Sequence, residues 1–224
     1  MQTDRLKILA GIVLFGSIWG MAECILGSME LPGALSYFPM GAFLGGLVGL
    51  GLMAYSRRLY GIHWMQLSMA VMAGLLRFWG PMGTGCVICS GLAIMCEGLV
   101  FEIIFNRPSL DFVKRLEIKN LKMLAFLGIV SGYIIYVTGY IFTQIATPIA
   151  TTGTFHPGDL LANLPLIFGR GFFAAIFGAI ALPAALLVES LDVNVATASK
   201  KLYYGTAVGM SAFCWVLVIA VFHL

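Results

Sequence analysis

Residues 8–28 read ILAGIVLFGSIWGMAECILGS, a stretch in which Glu23 is the single charged residue. A membrane-spanning helix needs about 20 predominantly apolar residues, so this stretch is long enough to cross a bilayer. A charged segment with Asp4, Arg5 and Lys7 precedes it. Because the apolar run continues past about twenty residues and no small-x-small cleavage site follows, we expect a retained signal-anchor helix, not a removed signal peptide.

The rest of the chain has the same apolar character. Hydrophobic residues make up 60% of the 224 residues and charged residues 10%, whereas a soluble domain carries roughly 25% charged residues. The composition predicts an all-α, polytopic membrane helix bundle with six to seven transmembrane helices, forming one domain over residues 1–224. The predicted spans are about 8–28, 33–55, 60–80, 85–105, 120–145, 161–188 and 202–223.

The basic residues fix the predicted orientation. Lys and Arg are enriched in cytoplasmic connections of membrane proteins. Eleven of the 13 basic residues lie in the N-terminal segment or in alternate connections, near 56–59, 106–119 and 189–201. The N-terminus is therefore predicted to be cytoplasmic and the protein to be a multi-pass protein of the cell membrane. The outward connections would lie near 29–32, 81–84 and 146–160, where Asp159 is a candidate N-cap.

The two remaining basic residues, Arg77 and Arg170, lie inside apolar stretches, as do Glu23 and Glu97. Charged residues at such depth are costly and usually face protein or a water-filled cavity. Each shares a helical face with small residues, which mark helix contacts in membranes, so all four are predicted to face protein. At 1.5 Å of rise per residue, Glu23, Arg77 and Arg170 would lie roughly 5–15 Å below the outer surface, with Glu97 deeper.

Two interpretations of this layer remain open. Glu23 could form a structural salt bridge with Arg77 or Arg170. Alternatively, the layer could bind a small solute from outside, and two arginines against one nearby glutamate would favour a carboxylate or phosphate. Trp19 and Asn163 would be neighbours of this site. Glu97 would be a proton carrier or the partner of a buried arginine.

Two of the cysteines indicate an alternative function. Cys86 and Cys89 form a CxxC pair at the start of the predicted fourth helix, where the helix dipole stabilises a thiolate. The pair could be redox active, could contact a ligand or metal, or could simply pack. A membrane thiol–disulfide oxidoreductase normally needs a second cysteine pair, and Cys24, Cys96 and Cys214 are scattered. No nearby histidine completes a metal site, so no metal is predicted.

Several functional classes are disfavoured. The chain has no P-loop, nucleophile elbow or dinucleotide fingerprint, so we expect neither an enzyme nor a bound cofactor. No basic stripe is interleaved with exposed aromatic residues, which argues against nucleic acid as a partner. A glycine ridge at Gly41, Gly45 and Gly49 indicates close packing within the bundle or docking onto a partner membrane subunit.

The segment Leu31–Ala42, LPGALSYFPMGA, followed by Ser56-Arg57-Arg58 in a chain of this size, resembles the substrate-binding S components of energy-coupling factor transporters. The resemblance covers about the first 110 residues. It implies capture of a vitamin-like solute or its precursor from outside, and docking onto a transmembrane coupling subunit driven by ATPases. The first helix has Gly16-x-x-x-Gly20 where the family has an alanine-rich docking motif, and the N-terminal metal-binding start of the nickel and cobalt members is missing.

From these features we expect a membrane transport protein that binds a small, anionic solute in an outward-facing intramembrane pocket. Its ligands would be Glu23, Arg77, Arg170, Trp19, Asn163 and Glu97. The alternatives are the thiol–disulfide oxidoreductase and a structural subunit of a membrane complex.

Overall fold

A computed structural model describes residues 5–29, 32, 38–80, 87–105, 120–187 and 199–223. Within these ranges the protein is all-helical. The helices are α1 (Arg5–Ile25), α2 (Met40–Phe43), α3 (Leu50–Tyr60), α4 (Met65–Arg77), α5 (Val87–Phe105), α6 (Leu121–Thr152), α7 (Pro157–Leu187) and α8 (Lys200–His223), with a π-helical segment, Leu44–Gly49, between α2 and α3. Cys86, the predicted connections at 81–84 and 106–119, most of the connection at 189–201 and part of the segment Leu31–Ala42 lie outside the described residues.

Five of the helices in the described ranges, α1, α5, α6, α7 and α8, are long and apolar enough to cross a membrane. Large apolar side chains cover their outer faces, for example Phe126, Phe172 and Val208, which are 62–66% exposed. A helical membrane bundle is the architecture that leaves so much apolar surface uncovered by protein. The predicted fold class is confirmed at this level.

The predicted second and third spans are less regular than expected. The second runs from Met40 to Tyr60 through the π-helical segment and stops at Gly61, whose φ of 62° is the left-handed conformation that ends many helices. The third, predicted for 60–80, contains only the 13-residue helix α4. At 1.5 Å per residue, α4 is about 20 Å long and shorter than a typical crossing.

The predicted outward connection at 146–160 was wrong in extent. Helix α6 continues to Thr152 through Pro148 and ends at Gly153, whose φ is 73°. Helix α7 begins at Pro157, which suits the first helical position because its missing N–H has no intrahelical partner there. Asp159 therefore lies in the first turn of α7 and is not its N-cap.

Close backbone contacts hold the helices together. A Cβ atom added at Gly16 would lie 2.8 Å from Met69 O, and one at Gly20 would lie 2.8 Å from Ala73 O. Helix α1 therefore packs its small-residue face onto α4. Helices α6 and α7 form an antiparallel pair in which Gly128 lies directly against Gly178. Small residues allow these approaches, as they do in membrane helix pairs generally.

One end of the bundle collects basic residues, and we call it the basic end. Lys7 Nζ lies 5.9 Å from the centre of the Tyr203 ring, and Tyr203 Oη donates a 2.8 Å hydrogen bond to Lys7 O. Tyr60 in turn bonds Tyr203, which places the last turn of α3 at the same level. Arg58, two residues earlier, donates to Leu186 O at the end of α7. The N-terminus of α1 and the C-termini of α3 and α7 therefore meet at one end.

Candidate functional site

Helix α1 carries the first two residues of the candidate site. Trp19 is completely buried and Glu23 is 8% exposed. Trp19 Nε1 donates a 3.3 Å hydrogen bond to Glu23 Oε1 one turn away. The indole ring lies against the π-helical segment, where a Cβ on Gly49 would come within 2.7 Å of it. The predicted stripe of Trp19 and Glu23 is thus turned inward, as expected.

Arg77 reaches the same layer from the last turn of α4. It is 7% exposed and lies within electrostatic range of Glu23 and of Cys24, whose Sγ donates a hydrogen bond to Leu76 O. Its Nη1 is buried and has no hydrogen-bond partner in the described part of the chain. Gly80 makes room for this nitrogen, because a Cβ there would overlap it. The guanidinium therefore keeps one buried donor, next to Gly80, without a hydrogen-bond partner among the described residues.

Glu97 lies at the centre of the bundle, on α5, and is 3% exposed. A Cβ on Gly45 would lie 2.8 Å from Glu97 Oε1 and 3.1 Å from Oε2, and a Cβ on Gly139 would lie 3.1 Å from its Cγ. Oε2 has no hydrogen-bond partner among the described residues. Glu23 is within electrostatic range of this carboxyl group. Glu97 therefore belongs to the same polar layer of the bundle as Glu23.

Arg170 does not share this environment, and the prediction that all four charges face protein was wrong for it. Arg170 is exposed on α7, whereas Ala174 and Gly178, on the stripe predicted to contain it, are buried. It remains within electrostatic range of Tyr136 on α6. Arg170 therefore lies at the edge of the polar layer. The buried part of the layer does not contain the expected two arginines against one glutamate.

Asn163 is half-buried and bonded within the α6–α7 pair. Its Nδ2 donates to Gln144 Oε1 at 3.1 Å and to Asp159 O at 3.0 Å. These bonds fasten the two helices toward the α6–α7 turn, about 10 Å along the helix from Arg170. The two hydrogen bonds of Asn163 do not join it to Glu23, Arg77 or Arg170, and its place beside them stays a prediction.

The cysteines divide into two groups. Cys24, Cys96 and Cys214 are free and buried, and Cys89 is half-buried and disulfide-bonded. The other member of the predicted CxxC pair, Cys86, lies outside the described residues. Among the residues that the structure describes, no three His, Cys, Asp or Glu side chains are grouped so as to hold a metal ion.

Three residues of this region were not identified as site residues from the sequence. Tyr136 and Tyr140 stack with ring centroids 4.3 Å apart, and both lie within electrostatic range of Glu97. Their four-residue spacing puts them on one face of α6, so this pair could have been identified from the sequence. Gly45 was noted only as part of a glycine ridge. That ridge packs inside the bundle: Gly41 lies against Tyr140, Gly45 against Glu97 and Gly49 against Trp19.

The arrangement is a buried polar layer made by α1, α4, α5, α6 and the π-helical segment. It offers one donor-bearing cation, two carboxyl groups and two phenols, and π-helical turns are frequent at functional sites. No family model, curated protein or solved structure matches the chain.

Proposed function

We propose that this chain is a membrane transport protein that binds a small solute with an anionic group, in a pocket entered from outside the cell. Arg77 would hold the anionic group through its uncommitted Nη1, with Glu23 and Trp19 orienting the guanidinium. The protein would bind the solute without altering it chemically, so it would act as a binding and transport component and not as an enzyme.

The observation that carries the proposal is the Arg77 guanidinium. A buried polar group without a partner is costly, and Arg77 Nη1 is such a group within the described chain. A carboxylate or phosphate on a bound solute would satisfy it through charge-assisted hydrogen bonds. A purely structural arginine would instead be expected to direct all its donors to protein.

The orientation of the pocket rests on the basic end. If that end is cytoplasmic, as the positive-inside rule favours, the N-terminus is cytoplasmic too. From Lys7 to Glu23 α1 rises by about 24 Å, against a hydrocarbon core of about 30 Å. The Glu23 layer would then lie in the outer half of the cell membrane, where a solute from outside could reach it.

Transport would need partners. The chain shows no nucleotide-binding motif, and the resemblance to S components of energy-coupling factor transporters supports docking onto a transmembrane coupling subunit driven by ATPases. The solute would then be vitamin-like or a vitamin precursor.

Native mass spectrometry of the protein purified in lipid nanodiscs tests the proposal. We expect the wild type to carry a small molecule with an acidic group and Arg77→Gln to lose it. Lys201→Gln, which removes the same charge from an exposed position at the basic end, serves as control and should retain it. A bound molecule that survives Arg77→Gln in a folded protein would overturn the proposal.

A further inference from the structure

An apolar groove lies on the side of the bundle between α1 and α7, over the second span. Its floor runs from Leu47 in the π-helical segment to Tyr55 in α3. Its walls include Ile18 of α1 and Ala184 of α7, which is exposed at the rim. We propose that this groove binds one phospholipid of the leaflet next to the basic end, with an acyl chain along the floor and the phosphate at Arg58. The inference does not depend on the proposed function.

The depth of the groove matches one leaflet of a membrane. From Lys7 at the basic end to Ile18 in the groove wall, α1 rises by about 16 Å. The other end of the groove is at Tyr55, about one turn of α3 before Arg58. Half of a hydrocarbon core of about 30 Å is about 15 Å. The groove therefore runs from the basic end to about the middle of the membrane, as the tail of a lipid in that leaflet does.

The width of the groove favours an extended chain over a helix. From Leu47 to Tyr55 the floor is about 12 Å long, and the groove has a volume of about 300 Å³. Its mean cross-section is therefore about 25 Å², which suits a single hydrocarbon chain. An α-helix with its side chains is about 10–12 Å across, and a membrane-spanning partner helix would also need a seat through both leaflets.

The end of the groove at the basic end carries a positive charge. Arg58 follows Tyr55 by one turn, and its guanidinium donates a hydrogen bond to Leu186 O. Leu186 adjoins Ala185, which lines the groove, so this hydrogen bond holds the guanidinium beside the groove. A guanidinium has five N–H donors in a planar arrangement that fits phosphate. Basic residues at a membrane surface also attract anionic lipids, so we expect an anionic phospholipid.

A second apolar hollow, between α6 and α7, provides a comparison within the same protein. It has a volume of about 240 Å³ and is lined by Val130 of α6 and Phe172 of α7. Val130 lies about 14 Å along α6 from Leu121, the first residue of that helix. The hollow is therefore near the middle of the membrane, too deep for a headgroup to reach. It should contact lipid tails without selecting a headgroup.

Native mass spectrometry of the full chain, released from detergent micelles after titration with lipid, tests the inference. The probes are dioleoyl phosphatidylglycerol and dioleoylglycerol, which have the same tails and differ in the phosphate headgroup. We expect the wild type to retain one phosphatidylglycerol per chain and to bind it about fivefold more tightly than dioleoylglycerol. Ala184→Phe, which fills the groove from its exposed rim, should weaken both probes by about tenfold. Arg58→Gln should weaken phosphatidylglycerol alone, by about fivefold.

Each change has a matched control. Val130→Phe adds a ring to the second hollow, at a position that is 39% exposed, and Lys201→Gln removes a positive charge from an exposed position at the basic end. Both should bind the two probes like the wild type. Ala184→Leu fills the groove with a smaller side chain and replaces the phenylalanine variant if that one does not fold.

Two results would refute the inference. One is wild-type retention of phosphatidylglycerol by a folded Ala184 variant, or equal binding of the two probes to the wild type. The other is a dimer of the wild type that Ala184→Phe dissociates, because the groove would then hold a helix of a second copy. Arg77→Gln should keep the lipid while losing the acidic solute, so the two proposals fail separately.

Discussion

At the scale of single residues, the polar layer is organised by contacts that leave specific atoms unused. Trp19 donates its N–H to Glu23, and Cys24 Sγ donates to Leu76 O. Arg77 Nη1 and Glu97 Oε2 have no hydrogen-bond partner in the part of the chain that the structure describes. The first of these atoms, a charged donor, is the reason for proposing an anionic group on the solute.

The Trp19–Glu23 hydrogen bond gives a residue-scale prediction. Trp19→Phe keeps an aromatic ring in a completely buried position but removes the Nε1–H donor. We expect the free energy of unfolding to fall by about 1–3 kcal/mol, the range for losing a bond to a buried acceptor, together with weaker solute retention. Reversible unfolding in mixed micelles would measure it. Trp79→Phe, at a 52% exposed position, is the control, and equal effects of the two changes would contradict the assigned role.

At the scale of helices, α6 and α7 share the most extensive contact among the described helices, and the sequence misplaced the connection between them. Both helices are longer than a simple crossing, at 32 and 31 residues, and both contain proline. Membrane helices tolerate proline when neighbouring groups satisfy the freed backbone atoms. The pair is held by glycine contacts, with Gly128 against Gly178 and Gly132 against Ala174.

Two glycines of α7 should therefore respond to alanine with opposite signs. Gly178→Ala would drive a methyl group into the backbone of Gly128, and overpacking of this kind costs about 1–3 kcal/mol. Gly169→Ala meets nothing within 4 Å and should stabilise the helix by about 0.5–1 kcal/mol, because glycine is the less favourable residue in a helix interior. Thermal unfolding in one detergent would compare them, and a neutral Gly178→Ala would show that the helices do not approach as described.

At the scale of the whole molecule, the charges separate into a basic end and a buried polar layer nearer the opposite end. Under the proposed function, this separation would decide from which side the solute enters, because the positive-inside rule favours a cytoplasmic position for the basic end.

The orientation can be tested with single cysteines. A membrane-impermeant maleimide should label Thr154→Cys, at the exposed α6–α7 turn, in intact cells. It should label Lys201→Cys, at the start of α8, only after permeabilisation. The native free cysteines, Cys24, Cys96 and Cys214, are buried and should give little background. Labelling of Lys201→Cys in intact cells would reverse the topology and with it the side from which the solute binds.

The sequence by itself determined the membrane bundle and the inward faces of α1 and α4. Length and hydropathy predict helices in a bilayer because the backbone has no other way to satisfy its hydrogen bonds there. The small residues beside Glu23 and Arg77 indicated which faces meet other helices. Burial of Trp19, Glu23, Arg77 and Glu97 follows from these patterns.

Only the tertiary structure decided which residues share the layer. A step of four residues turns an α-helix about 40° past a full turn. Arg170 and Gly178 are two such steps apart, so their side-chain directions differ by roughly 80° around the helix. One apparent stripe in the sequence therefore runs from the exposed edge into the core. Sequence periodicity places a residue on its own helix, but it does not say which neighbouring helix covers it. The meeting of Glu97 with Gly45, Tyr136 and Tyr140 depends on how α5, α6 and the π-helical segment pack together, and that information belongs to the assembled bundle.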